Sequence, residues 1–111
     1  MSKTNEETQF QIDLAAAGVW HDIVTVDAAG TRVQAPVSPE LRSLDIVNIH
    51  ATGIAYYGGE SVTDSAGALP GVPLNPGDKK EGMALSQASR LWFDSDTTGH
   101  VIVLFGLVGS V

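Results

Sequence analysis

The sequence predicts an all-β fold, a β-sandwich or small barrel of about seven or eight antiparallel strands with one long Gly/Pro-rich loop. Three observations predict it. Short runs rich in Val, Ile, Thr and aromatic residues recur between turn signals. No stretch keeps apolar residues at helical spacing for more than a turn, since Ala15–Ala17 is stopped by Gly18 and the Val19-Trp20 pair. Six of the 12 glycines and three of the five prolines fall in residues 58–82, which interrupts any ladder there.

Taken in order, Gln9–Leu14 alternates, with Phe10, Ile12 and Leu14 on one face, and predicts a half-buried first strand. Val19–Val26 and Thr31–Ala35 flank the turn Asp27–Gly30 and predict a hairpin. Pro36 and Pro39 then break pairing, because neither can donate to a ladder. That break divides an N-terminal arm or hairpin, residues 1–36, from a β-sandwich module, residues 37–111. The arm either belongs to the same domain or reaches outward to a lattice.

Glu40–Ser43 reads as a single turn. Leu44–His50 alternates and changes phase at Val47-Asn48, as a bulged strand does, and Ile54–Tyr57 returns as the second arm of a hairpin. Residues 58–82 read as a surface loop with one short extended piece at Glu60–Thr63, and loops of that length commonly bind something or order against a neighbour. Met83–Leu85 is extended and Ser86–Ser89 is a turn.

Arg90–Gly106 reads as a central hairpin, in which Leu91–Phe93 and Val101–Phe105 flank the polar turn Asp94–Gly99. Its second arm has no polar alternation, so both faces are expected to be covered, one by the core and one by a second layer or a neighbouring subunit. On that placement Phe105→Ala costs on the order of 3 kcal/mol or more. Leu107–Val111 stays apolar and is expected to be paired or buried.

The totals narrow the function classes. At 111 residues and 11.6 kDa the chain is a single domain, and without cysteine it has neither disulfides nor thiolate metal sites. A formal charge of -7 disfavours phosphate backbones, so nucleic acid is not expected as a partner. Nor is a membrane. The longest apolar run, Val101–Val111, is about half the length of a spanning helix, and the polar N-terminus lacks the apolar segment of a signal peptide. A soluble protein made in the cytoplasm is expected.

No catalytic, cofactor-binding or metal-binding residue is expected. His21, His50 and His100 show no ligand spacing and read as strand histidines facing solvent or making one hydrogen bond. Asp94–Gly99 faintly resembles a calcium loop but lacks a third acidic ligand and a distal glutamate. There is no nucleophile elbow and no phosphate loop. Asp45, Asp64, Asp94 and Asp96 are ordinary turn and strand carboxylates unless folding pairs them. Trp20, Tyr56, Tyr57 and Trp92 are candidate ligand-facing aromatics for a sugar platform. Neighbours on a strand point to opposite sides, however, so core or interface packing is the simpler reading. Phe10, Ile12, Trp20, Val101, Val103, Phe105, Leu107 and Val108 are candidate subunit or lattice contacts.

Four stretches occur in a suggestive order: LDIVNIH at 44–50, AYYGGESVT at 55–63, VPLNPG at 72–77 and LWFDSDTTGHVIVL at 91–104. Together they resemble small β-sandwich modules of tailed-bacteriophage virion proteins, over roughly residues 44–105. The resemblance implies a non-enzymatic structural part of the virion, most simply a capsid decoration (cement) protein, with head-fibre, baseplate and tail-fibre roles beside it. It further implies the major capsid protein or another virion protein as partner, a homotrimer at threefold positions, and residence in the virion after synthesis in the host cytoplasm. The alternative from a different class is a carbohydrate- or receptor-binding module of a fibre or tail protein.

Overall fold

The computed structural model describes residues 18–109. Eight strands form where β-branched and aromatic residues cluster: β1 (Val19–Val26), β2 (Val33–Gln34), β3 (Leu41–Asn48), β4 (Ala55–Gly58), β5 (Val72–Leu74), β6 (Lys79–Met83), β7 (Trp92–Ser95) and β8 (His100–Val108). They make two four-stranded sheets, ordered β1-β8-β3-β6 and β2-β7-β4-β5, with every strand pairing antiparallel. The only helical element among the described residues is a 3-10 turn, Ala88–Arg90, which overlaps the end of the turn expected at Ser86–Ser89. The fold is the expected small β-sandwich.

Its connectivity corrects the sequence reading. All three expected hairpins are crossings, because β1 and β2, β3 and β4, and β7 and β8 lie in opposite sheets. Period-two patterning fixes which residues of a strand are buried but not which layer the strand joins. Phe93 and Leu104 are both apolar and inward-facing, yet they meet the core from opposite sides. Of the consecutive strands, β4 and β5 alone pair with each other. Residues 19–34 are woven into the body, since β1 pairs along its length with β8 and β2 with β7. The strand expected at Gln9–Leu14, with Phe10 and Ile12, lies outside the described residues.

The core is filled from both layers. Val24, Val26, Leu41, Leu44, Ile46, Ile102 and Leu104 come from the first sheet and Ala55, Leu74 and Phe93 from the second, each 4% exposed or less. Gly106 on β8 makes room for this packing, because a Cβ there would lie 2.9 Å from Leu41 Cδ2 and 3.4 Å from Trp20 Cε3. Trp20 is thereby half-buried against the core and Val108 packs against it too. These two expected contact residues thus spend much of their surface inside the chain.

Three local expectations also change. Glu40–Ser43 is not a turn, because Leu41 already begins β3, and the register shifts of β3 fall between Leu41 and Ser43 and between Leu44 and Ile46 rather than at Val47-Asn48. Residues 58–82 hold two strands, β5 and β6, despite their glycines and prolines. Each is an edge strand, where Pro73 costs little pairing and Lys79, Lys80 and Glu81 shield the free edge. The remaining loop, residues 59–71, folds over the outer face of the second sheet and buries Val62 and Tyr56. Gly71 permits that close approach, as a Cβ there would lie 2.5 Å from Tyr57 O and Val62 Cγ2.

The last correction concerns β8. One face, His100, Ile102, Leu104 and Gly106, is buried, but the other, Val101, Val103, Phe105 and Leu107, has no second layer over it among the described residues. Phe105 is 48% exposed. The full-burial cost therefore moves to Phe93, which is 0% exposed. In urea denaturation Phe93→Ala should lose about 3–5 kcal/mol, whereas Phe105→Ala should lose on the order of 1 kcal/mol or less.

Candidate functional site

The densest polar chemistry in the molecule is a buried chain at the seam between the sheets. Asn48 ends β3, His100 begins β8 and Ser95 ends β7, and each is 0% exposed. Asn48 Nδ2 donates to the carbonyls of Gly53 and Leu74, both at 2.8 Å, which fixes the orientation of its amide. Its Oδ1 then accepts from the His50 backbone N–H at 3.0 Å and lies 2.7 Å from His100 Nε2. Nε2 must therefore carry a proton, and in neutral imidazole Nδ1 is left as the acceptor. Ser95 Oγ, 2.6 Å away, supplies its hydroxyl proton to Nδ1 in preference to the Ile54 carbonyl at 3.1 Å, and accepts in turn from the Thr97 N–H at 3.0 Å. Gly53 leaves space for the ring, since a Cβ there would lie 2.9 Å from His100 Nδ1.

Burial pushes the His100 pKa below its ordinary 6.5, and the neighbouring His50 adds to the effect. The two rings lie 4.8 Å apart, although their sequence separation gave no hint of it. His50 Nδ1 accepts from the N–H groups of Thr52 and Gly53, at 3.1 and 2.8 Å, so it shapes the connection after β3. The expectation of histidines facing solvent or making one hydrogen bond fails for His100, which is sealed and bonded through both nitrogens.

A hydroxyl held 2.6 Å from an imidazole whose other nitrogen is oriented by a third side chain has the ingredients of nucleophile activation. The geometry turns them inward. Ser95 and His100 have no exposed surface, so no electrophile reaches Oγ and the arrangement serves as a buried hydrogen-bond network. No buried side-chain nitrogen or oxygen among the described residues lacks a hydrogen-bond partner.

The aspartates divide between two places. Asp45 lies on the first sheet, its Oδ1 accepting from the Gly82 N–H at 2.7 Å. Asp64, Asp94 and Asp96 anchor loops at the second. Asp96 takes the Tyr56 hydroxyl at 3.2 Å and the Ser65 hydroxyl at 2.9 Å on Oδ2, tying the long loop to β4. Burial raises the Asp94 pKa above its ordinary value, partly offset by the Ser95 N–H donating at 2.7 Å. Burial also raises that of Tyr56, where the Asp96 charge works in the same sense. Among the described residues no three His, Asp or Glu side chains are grouped to hold a metal ion.

The four candidate sugar-facing aromatics do not share a face. Trp20 packs on the core from β1, while Tyr57 does so from β4. Tyr56 points to the opposite side of β4 and is covered by the long loop; Tyr57 borders a depression beside that loop, with Glu60, Val62 and Leu69, and Trp92 lines a second one. That depression, of about 400 Å³, is bounded by Gly30, Thr31, Arg32 and Glu60. The proposed platform is thereby divided, with Tyr57 and Trp92 at different depressions.

Of the five expected contact residues on β8, Val101, Val103, Phe105 and Leu107 share the outer face, while Val108 is in phase with the core. On the outer face of the first sheet, β1 and β3 flank β8 in register, giving rows Val19–Leu107–Ser43, His21–Phe105–Asp45 and Ile23–Val103–Val47. Val19, Ile23, Phe105 and Leu107 are each between 45% and 53% exposed, and His21 stacks on Phe105 with ring centroids 6.0 Å apart. Such a largely apolar face, open among the described residues, is uncommon on a chain that works alone. No family model, no curated protein and no solved structure matches the chain.

The sealed histidine makes a pH prediction. Because the folded-state pKa of His100 lies below 6.5, the unfolded chain takes up that proton first as pH falls. Its contribution to stability is complete above pH 6.5 and is lost as pH drops from there toward the lowered folded value. Denaturation midpoints should fall over that window, and in His100→Gln, less stable overall, the slope should flatten.

Proposed function

We propose that this chain is a non-enzymatic structural module of a tailed-bacteriophage virion, a capsid decoration protein that works through protein contacts. The observation that carries the reading is the open apolar outer face of the first sheet, which adds nothing to the chain's own core. Three features support it. The polar groups resembling a catalytic set are sealed inside. A net charge of -7 keeps such a surface soluble and discourages nonspecific association. The motif order over residues 44–105 resembles virion β-sandwich modules. In this reading residues 1–17, which precede β1, serve as the arm toward the shell lattice, and the major capsid protein is the partner.

A second reading, a sugar-binding module of a fibre, draws on Trp92 beside Arg32 and Glu60. A ring face with a carboxylate and a guanidinium at its rim is the chemistry that holds a pyranose. The first reading is preferred because the four candidate aromatics share no face, Tyr57 and Trp92 lying at different depressions.

Co-sedimentation with expanded heads of the phage that encodes the protein tests the proposal. The full chain should pellet with heads at a fixed ratio and raise their thermal disruption temperature, and removal of residues 1–17 should abolish pelleting. Failure of the full chain to pellet, together with Trp92 fluorescence that responds to sugars, would replace the first reading with the second.

A further inference from the structure

We infer that the outer face of the first sheet binds a second copy of this chain, sheet against sheet, about a twofold axis parallel to β8. The inference deepens the structural reading above and rests on it for its biological setting, but its geometry comes from the face itself. An isologous contact requires a patch complementary to itself. The three rows of the face meet that requirement in one orientation.

Two in-plane twofold axes pass through the central row. An axis perpendicular to the strands sets Asp45 against Asp45 of the other copy and His21 against His21. Juxtaposed like charges there oppose association. An axis along β8 exchanges β1 and β3 instead, because these strands flank β8 symmetrically. His21 then faces Asp45 of the other copy, and Asp45 faces its His21. An imidazole N–H has a carboxylate opposite it whichever way the copies are counted. Asp45 already has Oδ1 held by the Gly82 N–H, which leaves Oδ2 with acceptor capacity of its own.

The apolar rows follow the same operation. Ile23 meets Val47 and Val19 lies over Ser43, while Phe105, Leu107 and Val103 fall near the axis and meet their own copies. Sheets with right-handed twist stack in aligned fashion about 10 Å apart with interdigitating side chains, so residues that are half-exposed in one chain become enclosed. Phe105 lies at the centre, stacked on His21 and ready to offset-stack on its twin. The exposed charged pair Lys79–Glu81, 3.3 Å apart on edge strand β6, falls at the rim.

The test uses the full chain in light scattering over a dilution series. The dimer mass is expected at the concentrated end, with dissociation on dilution. Phe105→Asp should weaken the pair at least tenfold while leaving the far-ultraviolet circular dichroism unchanged, since Phe105 is not in the core. The axis is read separately. The chain has no cysteine, so His21→Cys and Asp45→Cys each carry a single thiol for a short bismaleimide. Mixed together they should cross-link to each other, and neither should cross-link to itself. A monomer or trimer at all concentrations, a dimer indifferent to Phe105→Asp, or self-cross-linking of Asp45→Cys would overturn the inference. A monomer that still pellets with phage heads would sink this contact alone. A dimer that ignores heads would leave the contact standing and remove the virion reading.

Discussion

The chain Asn48–His100–Ser95 is the constraint on which this sandwich depends. Nearly every connection in the fold passes from one sheet to the other, so the layers cannot be held by hairpins and must be joined across their seam. Asn48 does much of that joining. From β3 in the first sheet its side chain reaches the carbonyl of Leu74 in the second and that of Gly53 in the loop between them, while Oδ1 receives His100 at the start of β8. Ser95 closes the circuit from β7. A buried network of this kind specifies one arrangement because any slip in register leaves several polar groups unpaired at once, each at a cost of about 1–3 kcal/mol.

The two outer faces of the sandwich are treated differently, and the functional account follows from the difference. The second sheet is covered from within the chain by the long loop, fastened through Asp96, Ser65 and Tyr56. Among the described residues the first sheet stays open, with Val19, Ile23, Phe105 and Leu107 exposed on it. One side is closed locally and the other is not, and the proposed assembly role rests on that difference. The chemistry is also inward: the most reactive-looking groups spend their hydrogen bonds on one another.

Much of this was legible in the sequence. Period-two patterning identified most of the strands, and the unalternating run at Val101–Phe105 singled out the strand that lies at the centre of the first sheet. The open face was half legible, because apolar residues in both phases say that each side needs a neighbour without saying whether the chain supplies it. Layer assignment was not legible, since inward-facing residues look alike from either sheet, and the three apparent hairpins became crossings for that reason. The polar seam left a signal that was readable but missed. His100 is in phase with Ile102 and Leu104, and Asn48 with Leu44 and Ile46, so two polar side chains stood where buried ones belong. A buried polar residue in phase with the core calls for a partner, and these two are partners.

The nitrogen NMR spectrum of the His100 imidazole tests the central claim most directly. A structural seam predicts a neutral ring with the proton on Nε2, a bare Nδ1 accepting from Ser95, and signals that stay unchanged as pH is lowered past the ordinary histidine range while the protein remains folded. A ring that titrates like an exposed histidine, or one carrying its proton on Nδ1 at neutral pH, would contradict it and reopen the site to solvent and to chemistry.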